Sequence, residues 1–165
     1  MKYKYIQKSK NVEFGYRFRF SCNNPYYAKI GFKSCLDDFN VWSAKKGSII
    51  VGDHCWFGLN NIIIGPVEIG NKVMTGPFVS IVGAHHAVYS YDVDTDAKTE
   101  IGDNVWISTG SIILFGVKIG DNVVIGPGSV VIKDVPPNTY VAGNPARNLT
   151  QLTKFGGDIA NIERL

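Results

Sequence analysis

The chain has 165 residues, which suits a single domain spanning residues 1–165, and 45% of them are hydrophobic, enough for a sizeable core. A formal net charge of +3 without a dense Lys/Arg run does not indicate a nucleic-acid partner. The N-terminal sequence MKYKYIQKSK lacks the apolar stretch of a signal peptide, and no run of eighteen apolar residues occurs, so we expect a cytoplasmic protein without membrane insertion.

Residues 1–49 show an irregular form of a six-residue pattern. Large apolar side chains recur at this spacing in two runs, which are Phe14 and Phe20, then Ile30, Leu36 and Trp42. Turn-prone residues at 21–25 and 44–48 interrupt them. We interpret the segment as irregular first coils of a repeat structure. Its aromatic residues either cap the open end of the core or line a groove: Phe14, Tyr16, Phe18, Phe20, Tyr26 and Tyr27.

The six-residue period becomes regular in residues 50–82 and again in residues 101–147. The repeated positions are Val51, Phe57, Ile63, Ile69, Thr75 and Ile81, then Ile101, Ile107, Ile113, Ile119, Ile125 and Val131. Neither a helical nor a two-residue period produces this pattern, which is typical of a hexapeptide β-solenoid. Three units would close a triangular coil, so that inward residues eighteen apart stack. Glycine often follows the inward residue, where we expect it to supply the positive φ of a tight corner.

The period breaks between Ile81 and Ile101, which are twenty residues apart. The interruption predicts a loop ejected from the solenoid near residues 83–100, and loops on rigid scaffolds are where functional residues concentrate. This loop carries His85 and His86. It also carries acidic residues that are candidates to orient a histidine, which are Asp92, Asp94 and Asp96.

Beyond Val131 the regular repeat ends. Pro136 and Pro137 exclude a regular internal strand at that point. Residues 148–165 form a short C-terminal tail, and the sequence DIANIERL near its end is compatible with one short helix.

The motifs IGDNVWIS and IGDNVVIGPGSVVIKDVPPNTYVAGNPAR, with the loop before them, resemble the left-handed β-helix acyltransferases. The tract GAH, a loop and IGDNVW is most similar to sugar and polysaccharide O-acetyltransferases of the colanic-acid, galactoside and maltose type. The resemblance implies an all-β, left-handed parallel β-helix that forms a homotrimer with active sites between subunits. It also implies acetyl-CoA as the donor, a hydroxyl of a small-molecule sugar as the acceptor and no metal.

The chemistry of such a transfer needs a base that removes the acceptor's proton, and imidazole titrates in the right range. No Ser or Cys lies in a recognisable nucleophile motif, which favours direct transfer. The resemblance implies a loop histidine as base. The colanic-acid type pattern places it at His85, which we favour, whereas the xenobiotic type pattern places it at His86. A histidine pair on a loop is otherwise commonly just solvated.

The resemblance also implies a set of donor-binding residues. Trp106 matches a tryptophan beside the pantetheine arm of coenzyme A, and Thr109 and Pro127 match wall residues along that arm. Lys133 and Arg147 match basic residues near the phosphates and adenine. The family usually has smaller residues at the positions of Thr109 and Pro127, so the local contacts there are expected to differ.

Several alternatives remain open from the sequence. Within the acyltransferases they are xenobiotic acetylation (streptogramin or chloramphenicol type), nucleotide-sugar N-acetylation and, less favoured, serine acetylation. Outside them are a γ-class carbonic-anhydrase-like zinc protein and a non-enzymatic trimeric scaffold. His54, His85 and His86 lack the spacing of that zinc site, and His54 is expected to be an exposed corner residue. Cys22, Cys35 and Cys55 contain no CxxC motif.

Overall fold

The polypeptide coils into a three-sided prism built from short parallel strands. The structure is a computed structural model that describes residues 5–86, 93–94 and 98–150, with the backbone alone at 85, 86, 93 and 94. The first three coils contain β1 (Ile6–Lys8), β2 (Glu13–Phe14), β3 (Arg19–Cys22), β4 (Ala28–Ile30), β5 (Cys35–Leu36), β6 (Val41–Ala44), β7 (Ile49–Val51), β8 (Trp56–Phe57) and β9 (Ile62–Ile64).

The fourth coil is followed by a hairpin, two further coils and a closing ribbon. These contain β10 (Val67–Ile69), β11 (Met74–Thr75), β12 (Ser80–Val82), β13 (His85–His86), β14 (Val93–Asp94), β15 (Thr99–Ile101), β16 (Trp106–Ile107), β17 (Ile112–Ile113), β18 (Lys118–Ile119), β19 (Val124–Ile125), β20 (Val130–Val131), β21 (Tyr140–Ala142) and β22 (Arg147–Asn148). The described residues contain no helix long and apolar enough to cross a membrane.

Each coil gives its first strand to face A of the prism, its second to face B and its third to face C. The edges between them are the A–B, B–C and C–A corners. Within these sheets the coils pair in parallel, and only β22 is antiparallel, to β21 at the end of face B. The architecture is the all-β parallel β-helix that the period predicts, and it is consistent with a left-handed coil.

The stacking register confirms the predicted eighteen-residue coil where the repeat is regular. Ile101 pairs with Ile119, and Ile107 pairs with Ile125. Three coils are longer, because residues are inserted after the third strand of the first, second and fourth coils, in segments 23–27, 45–48 and 83–98. All three insertions therefore enter at the C–A corner, and the other two corners keep their register.

The predicted inward positions form the core. Those that are buried include Val51, Phe57, Ile63, Ile69, Thr75, Ile81, Ile101, Ile107, Ile113, Ile119, Ile125 and Val131. The residue four positions later is buried as well, at Val105, Ser111, Val117, Val123 and Ser129. The polar Thr75 fits because its hydroxyl accepts hydrogen bonds from the backbone N–H of Gly58, at 3.2 Å, and from the side-chain amide of Asn61.

The glycines that follow inward positions do not have the predicted role. Positive φ occurs three residues after the inward position instead, at Asn104, Gly110, Gly116, Asn122 and Gly128 among others. Gly102 and Gly120 do not share it. A Cβ on Gly102 would lie 2.3 Å from Asp121 Oδ1, and one on Gly120 would lie 2.6 Å from the backbone nitrogen of Pro137. Glycine is required there because the next coil passes too close for a side chain.

Aromatic rings fill the N-terminal end of the core. The Phe14 and Phe18 ring centroids are 4.9 Å apart, and Phe18 packs edge-on against Trp42 at 5.7 Å. Trp42 in turn packs edge-on against Phe57 at 5.1 Å. Phe14 and Phe18 therefore cap the core, whereas Tyr16 is 63% exposed.

The turns and the loop expected from the sequence fall near the ends of strands. The turns expected at 21–25 and 44–48 coincide with the ends of β3 and β6. The ejected loop begins where it was expected, although β15 already starts at Thr99. The C-terminal tail is described only as far as residue 150, so the short helix expected near its end lies outside the described residues.

Candidate active site

The loop that carries the histidine pair starts where the fourth coil ends. β12 ends at Val82, and the chain re-enters face A at Thr99. Between them β13 and β14 pair antiparallel, with His85 opposite Asp94 in the register. The backbone of both histidines thus lies in a hairpin at the C–A corner. Their side chains lie outside the described residues, as do those of the predicted acidic partners, so the choice between His85 and His86 stays a prediction.

Buried contacts fasten the two ends of this loop to the prism. Thr99 is fully buried; its hydroxyl donates a hydrogen bond to the carbonyl oxygen of Val82 (2.9 Å) and accepts one from the N–H of Gly116 (3.0 Å). At the other end, a Cβ on Gly83 would lie 1.9 Å from the carbonyl oxygen of Pro66. Sequence reasoning missed Thr99. The sequence feature that could have indicated it is a threonine placed two residues before the inward Ile101, where the six-residue repeat resumes after the loop.

Three of the predicted donor-binding residues line or approach the B–C corner. Trp106 belongs to β16 in face B and is half-buried, and Thr109 follows at the corner, where it is exposed. Pro127 occupies the same corner in the next coil, also exposed, and the N–H of Gly128 donates to the carbonyl oxygen of Thr109 at 2.9 Å. The two stacked corners and the strand of Trp106 form one surface, which we name the donor wall after the predicted role of these residues.

The two predicted cations lie nearer the C-terminal end of the prism. Lys133 follows β20 at the C–A corner and is exposed. Arg147 is exposed in β22, where its guanidinium donates to the carbonyl oxygen of Ala146 at 3.1 Å. The N–H of Ala146 donates to the carbonyl oxygen of Val130 at 2.8 Å, which holds this ribbon against face C. The structure therefore brings Arg147 close to face C but leaves Lys133 on a different corner from Thr109.

The histidine loop and the donor wall occupy opposite edges of face C. The loop leaves from the C–A corner, whereas Thr109 and Pro127 lie at the B–C corner. Face C between them presents a row of exposed aliphatic side chains to the outside, at Val41, its strand partner Ile62 and, one strand beyond Ser80, Ile112. Exposed apolar rows of this kind mark interaction surfaces.

Face A is charged instead. Lys98 contacts Glu68 at 2.7 Å and Glu100 at 3.6 Å, and Lys118 contacts Glu100 at 3.8 Å. The hydrogen bond that the Lys98 ammonium donates to Glu68 is the main reason that the pKa of Lys98 is raised. A shallow groove of about 570 Å³ follows this row, but none of the predicted site residues lines it. The charged row on face A is therefore separate from the predicted site residues.

The third histidine is remote from the loop. His54 is exposed at the A–B corner, as expected, with a φ of 58° and its ring edge-on to Phe32 at 5.7 Å. Among residues 5–84 and 98–150, no group of three His, Cys, Asp or Glu side chains is placed to hold a metal ion. His54 lies at the A–B corner and the backbone of the loop histidines at the C–A corner, so a zinc site within one chain would have to combine residues from two different corners.

The hexapeptide coil with one ejected loop defines a hexapeptide-repeat transferase. Residues 98–133 match the family described as bacterial transferase hexapeptide (six repeats), and residues 48–74 match the hexapeptide repeat of succinyl-transferase. A putative acetyltransferase of Saccharomyces cerevisiae is 35% identical over 144 residues, covering 79% of this chain and 72% of the relative. The chain belongs to the hexapeptide-repeat acetyltransferase family, in the group of the sugar O-acetyltransferases.

Other relatives carry more specific names. The galactoside O-acetyltransferase of Escherichia coli is 36% identical over 118 residues, covering 68% of this chain and 58% of the relative. A putative acetyltransferase of Schizosaccharomyces pombe is 38% identical over 118 residues, covering 69% of this chain and 54% of the relative. The chain thus spans between about half and three quarters of the length of these relatives.

Solved structures show the same likeness. A maltose O-acetyltransferase from Clostridium difficile superimposes with a TM-score of 0.57 and 33% identity, covering 88% of this chain and 69% of that one. An N-acyltransferase mutant from Bacillus cereus, solved with dTDP and coenzyme A, has a TM-score of 0.70 at 21% identity, covering 82% and 81%. At that identity the second likeness is one of fold.

Proposed function

We propose that this protein is an acetyl-CoA-dependent O-acetyltransferase that transfers an acetyl group to a sugar hydroxyl. The observation that carries the proposal is the combination of a hexapeptide prism with a histidine-bearing hairpin ejected after its fourth coil. Support for a sugar acceptor comes from relatives named galactoside and maltose O-acetyltransferase. Support for acetyl-CoA comes from fold neighbours solved with coenzyme A.

The chemistry assigned to this chain is proton transfer and positioning. A neutral loop histidine, His85 in the favoured assignment, accepts the proton of the acceptor hydroxyl while its oxygen attacks the thioester carbonyl. The C–S bond breaks, and the coenzyme thiolate recovers a proton from the resulting imidazolium. Trp106, Thr109 and Pro127 form the wall along which the donor lies. Arg147 attracts its phosphates, and Lys133 does so from the C–A corner of a neighbouring subunit.

A homotrimer is part of the proposal. In one subunit the histidine loop and the donor wall are separated by the full width of face C. If three copies place face C around a common axis, the C–A corner of one subunit meets the B–C corner of the next. That arrangement would cover Val41, Ile62 and Ile112 and bring each loop to a neighbouring wall. It would leave face B open to solvent.

The deciding experiment measures free-thiol release from acetyl-CoA across a panel of sugars and antibiotics. The variants are His85→Ala and His86→Ala, with His54→Ala as a matched control because it removes an exposed histidine at another corner. Loss of the base should lower kcat by about two to four orders of magnitude while acetyl-CoA still binds. Absence of turnover with every acceptor, together with absence of acetyl-CoA binding, would overturn the proposal and favour a scaffold.

A further inference from the structure

A groove on face B at the N-terminal end of the prism has no role in the site described above. Its volume is about 350 Å³, and its lining includes Glu13, Cys35, Asp37, Asp38 and Leu59. It lies on the first three coils, because β2, β5 and β8 are neighbours in face B. The predicted donor-binding residues lie on the fifth and later coils, so this groove is separate from them.

An exposed tryptophan stands beside this groove in a fixed position. Trp56 is 51% exposed although it lies in the middle of a sheet. Its indole N–H donates a hydrogen bond to Asp37 Oδ1 at 3.0 Å, and its strand partner is the lining residue Cys35. The hydrogen bond restricts the rotamers of the indole, so a ligand that stacks on it has less side-chain entropy to remove.

The groove offers aromatic surface and hydrogen-bond acceptors together. Its charged lining residues are the carboxylates of Glu13, Asp37 and Asp38. The neighbouring cations lie over aromatic rings: the ammonium of Lys8 is 5.4 Å from the Phe14 ring centre, and the guanidinium of Arg17 is 5.1 Å from that of Tyr16. Asp38 already accepts the N–H of Tyr16 at 2.5 Å, but a carboxylate has further lone pairs.

These features fit a sugar better than an anion. A sugar ring has an apolar face of C–H groups that stacks on an indole and hydroxyls that donate to carboxylates. A nucleotide sugar would bring its diphosphate against three carboxylates, which like-charge repulsion disfavours. Two further exposed rings, Tyr16 and Phe39, meet edge-on at 6.1 Å at the adjoining B–C corner and widen the aromatic surface.

The groove lies on the same face of the prism as Trp106 of the donor wall, but nearer to the N-terminal end. Trp56 pairs with Met74, and Met74 pairs with Trp106, so the two indole-bearing residues lie two strands apart in face B. At the usual spacing between strands this separation is about 10 Å. Met74 is exposed between them, and the lining of the groove extends from Cys35, the strand partner of Trp56, to Glu13 in the first coil. A single sugar ring is too short to reach from one to the other, whereas a chain of sugars is not.

We propose that this groove and the neighbouring Trp56, together called the Trp56 groove, bind the second and later sugars of the acceptor. The preferred substrate is then an uncharged oligosaccharide or glycan chain rather than a monosaccharide or a nucleotide sugar. The proposal rests on the proposed function for the identity of the sugar that reacts. It does not depend on which histidine is the base.

The test uses two ladders of acceptors, glucose to maltotetraose and N-acetylglucosamine to its β-1,4 tetramer. For the wild type, kcat/KM should rise by about tenfold or more between the monomer and the trimer of the preferred ladder. For Trp56→Ala and Asp37→Ala the ratio of trimer to monomer should fall towards one. Trp56→Phe should restore most of the ratio, because a phenyl ring still stacks. Lys29→Ala on face A is the matched control and should leave the ratio unchanged.

A binding measurement separates this proposal from the proposed function. Isothermal titration of the full chain with each tetramer, without acetyl-CoA, should show binding that Trp56→Ala abolishes. If no sugar is acetylated but tetramers bind through Trp56, the acetyltransferase proposal fails and the groove stands. If sugars are acetylated without dependence on chain length, the groove proposal is wrong. It is also wrong if neither tetramer binds the wild type.

Discussion

The hydroxyl of Thr99 donates a hydrogen bond to the carbonyl oxygen of Val82 at 2.9 Å, joining the residue where the chain returns to the prism to the residue where it leaves. The same oxygen accepts the N–H of Gly116 at 3.0 Å. Because Thr99 is fully buried, the base of the histidine hairpin is held by bonds that water does not weaken. Thr99 therefore links the two ends of the histidine loop at the surface of the prism.

Substituting Thr99→Val should loosen this base. The valine keeps the shape but leaves the N–H of Gly116 and the carbonyl of Val82 without this partner, at a cost of about 1–3 kcal/mol of folding free energy. Small displacements of a catalytic group are expensive, so kcat/KM should fall by about 10–100-fold. Thr75→Val is the matched control, since Thr75 is also buried with a hydroxyl that accepts a backbone N–H. Thermal unfolding should show a loss of stability in both, and steady-state kinetics a large loss of activity in Thr99→Val alone.

Two glycines near the donor wall should lose different amounts of stability on substitution. A Cβ on Gly76 would lie 2.6 Å from the backbone nitrogen of Thr109, whereas one on Gly110 would have nothing within 4 Å. Gly76→Ala should therefore cost about 1–3 kcal/mol through overpacking. Gly110 has a φ of 70°, and asparagine adopts the equivalent conformation at Asn104 and Asn122, so Gly110→Asn should cost less than about 1 kcal/mol. Urea denaturation of both variants checks the order, and equal losses would contradict the steric explanation.

Much of the prism was predictable because the inward positions repeat. Ile101, Ile107 and Ile113 stack on partners eighteen residues later, as their spacing indicates. The coil lengths at the N-terminus were not predictable, since insertions at one corner change the spacing of stacked residues without disturbing the six-residue runs between them. The role of the glycines was also mistaken, because a sequence shows where glycine occurs but not whether φ or a neighbouring coil requires it.

The candidate site was predictable only in part. The loop was visible as a broken period, and the donor wall came from resemblance. Outward positions carry no period, so the pairing of Trp56 with Asp37 gave no signal in the sequence. The bond between them joins residues nineteen apart, close to but not equal to one coil. Only the three-dimensional register of the second and third coils brings them together.

The exposed aliphatic row on face C should be where subunits meet. Replacing Ile62 by Glu places a charge in the middle of that row, where burial against another copy would carry a large desolvation penalty. Light scattering after gel filtration should show a trimer for the wild type and a monomer or mixed species for Ile62→Glu. Ile50→Glu on the charged face A is the matched control and should remain trimeric. A monomeric wild type would rule the arrangement out, and acetyl transfer should fall in parallel with the trimer fraction.

The buried thiol of Cys55 should make stability depend on alkaline pH. Burial raises the pKa of Cys55 from 9.0 to about 11, and its thiol donates a hydrogen bond to the carbonyl oxygen of Gly70 at 3.2 Å. The unfolded chain loses this proton near its ordinary pKa while the folded chain retains it. The stabilisation is therefore complete below pH 9 and is lost progressively between pH 9 and pH 11. The two-unit shift corresponds to about 2–3 kcal/mol.

Because lysines and tyrosines titrate in the same range, the contribution of Cys55 has to be measured as a difference. Urea unfolding of the wild type and of Cys55→Ala at pH 8 and pH 10.5 gives two free-energy changes. The wild type should lose more stability than the variant between these pH values, since only the wild type has this buried thiol to ionise on unfolding. Identical losses would mean that the thiol ionises as readily in the folded chain as in the unfolded one. Alkylation gives an independent check, because iodoacetamide should modify folded Cys55 more slowly than the partly exposed Cys35.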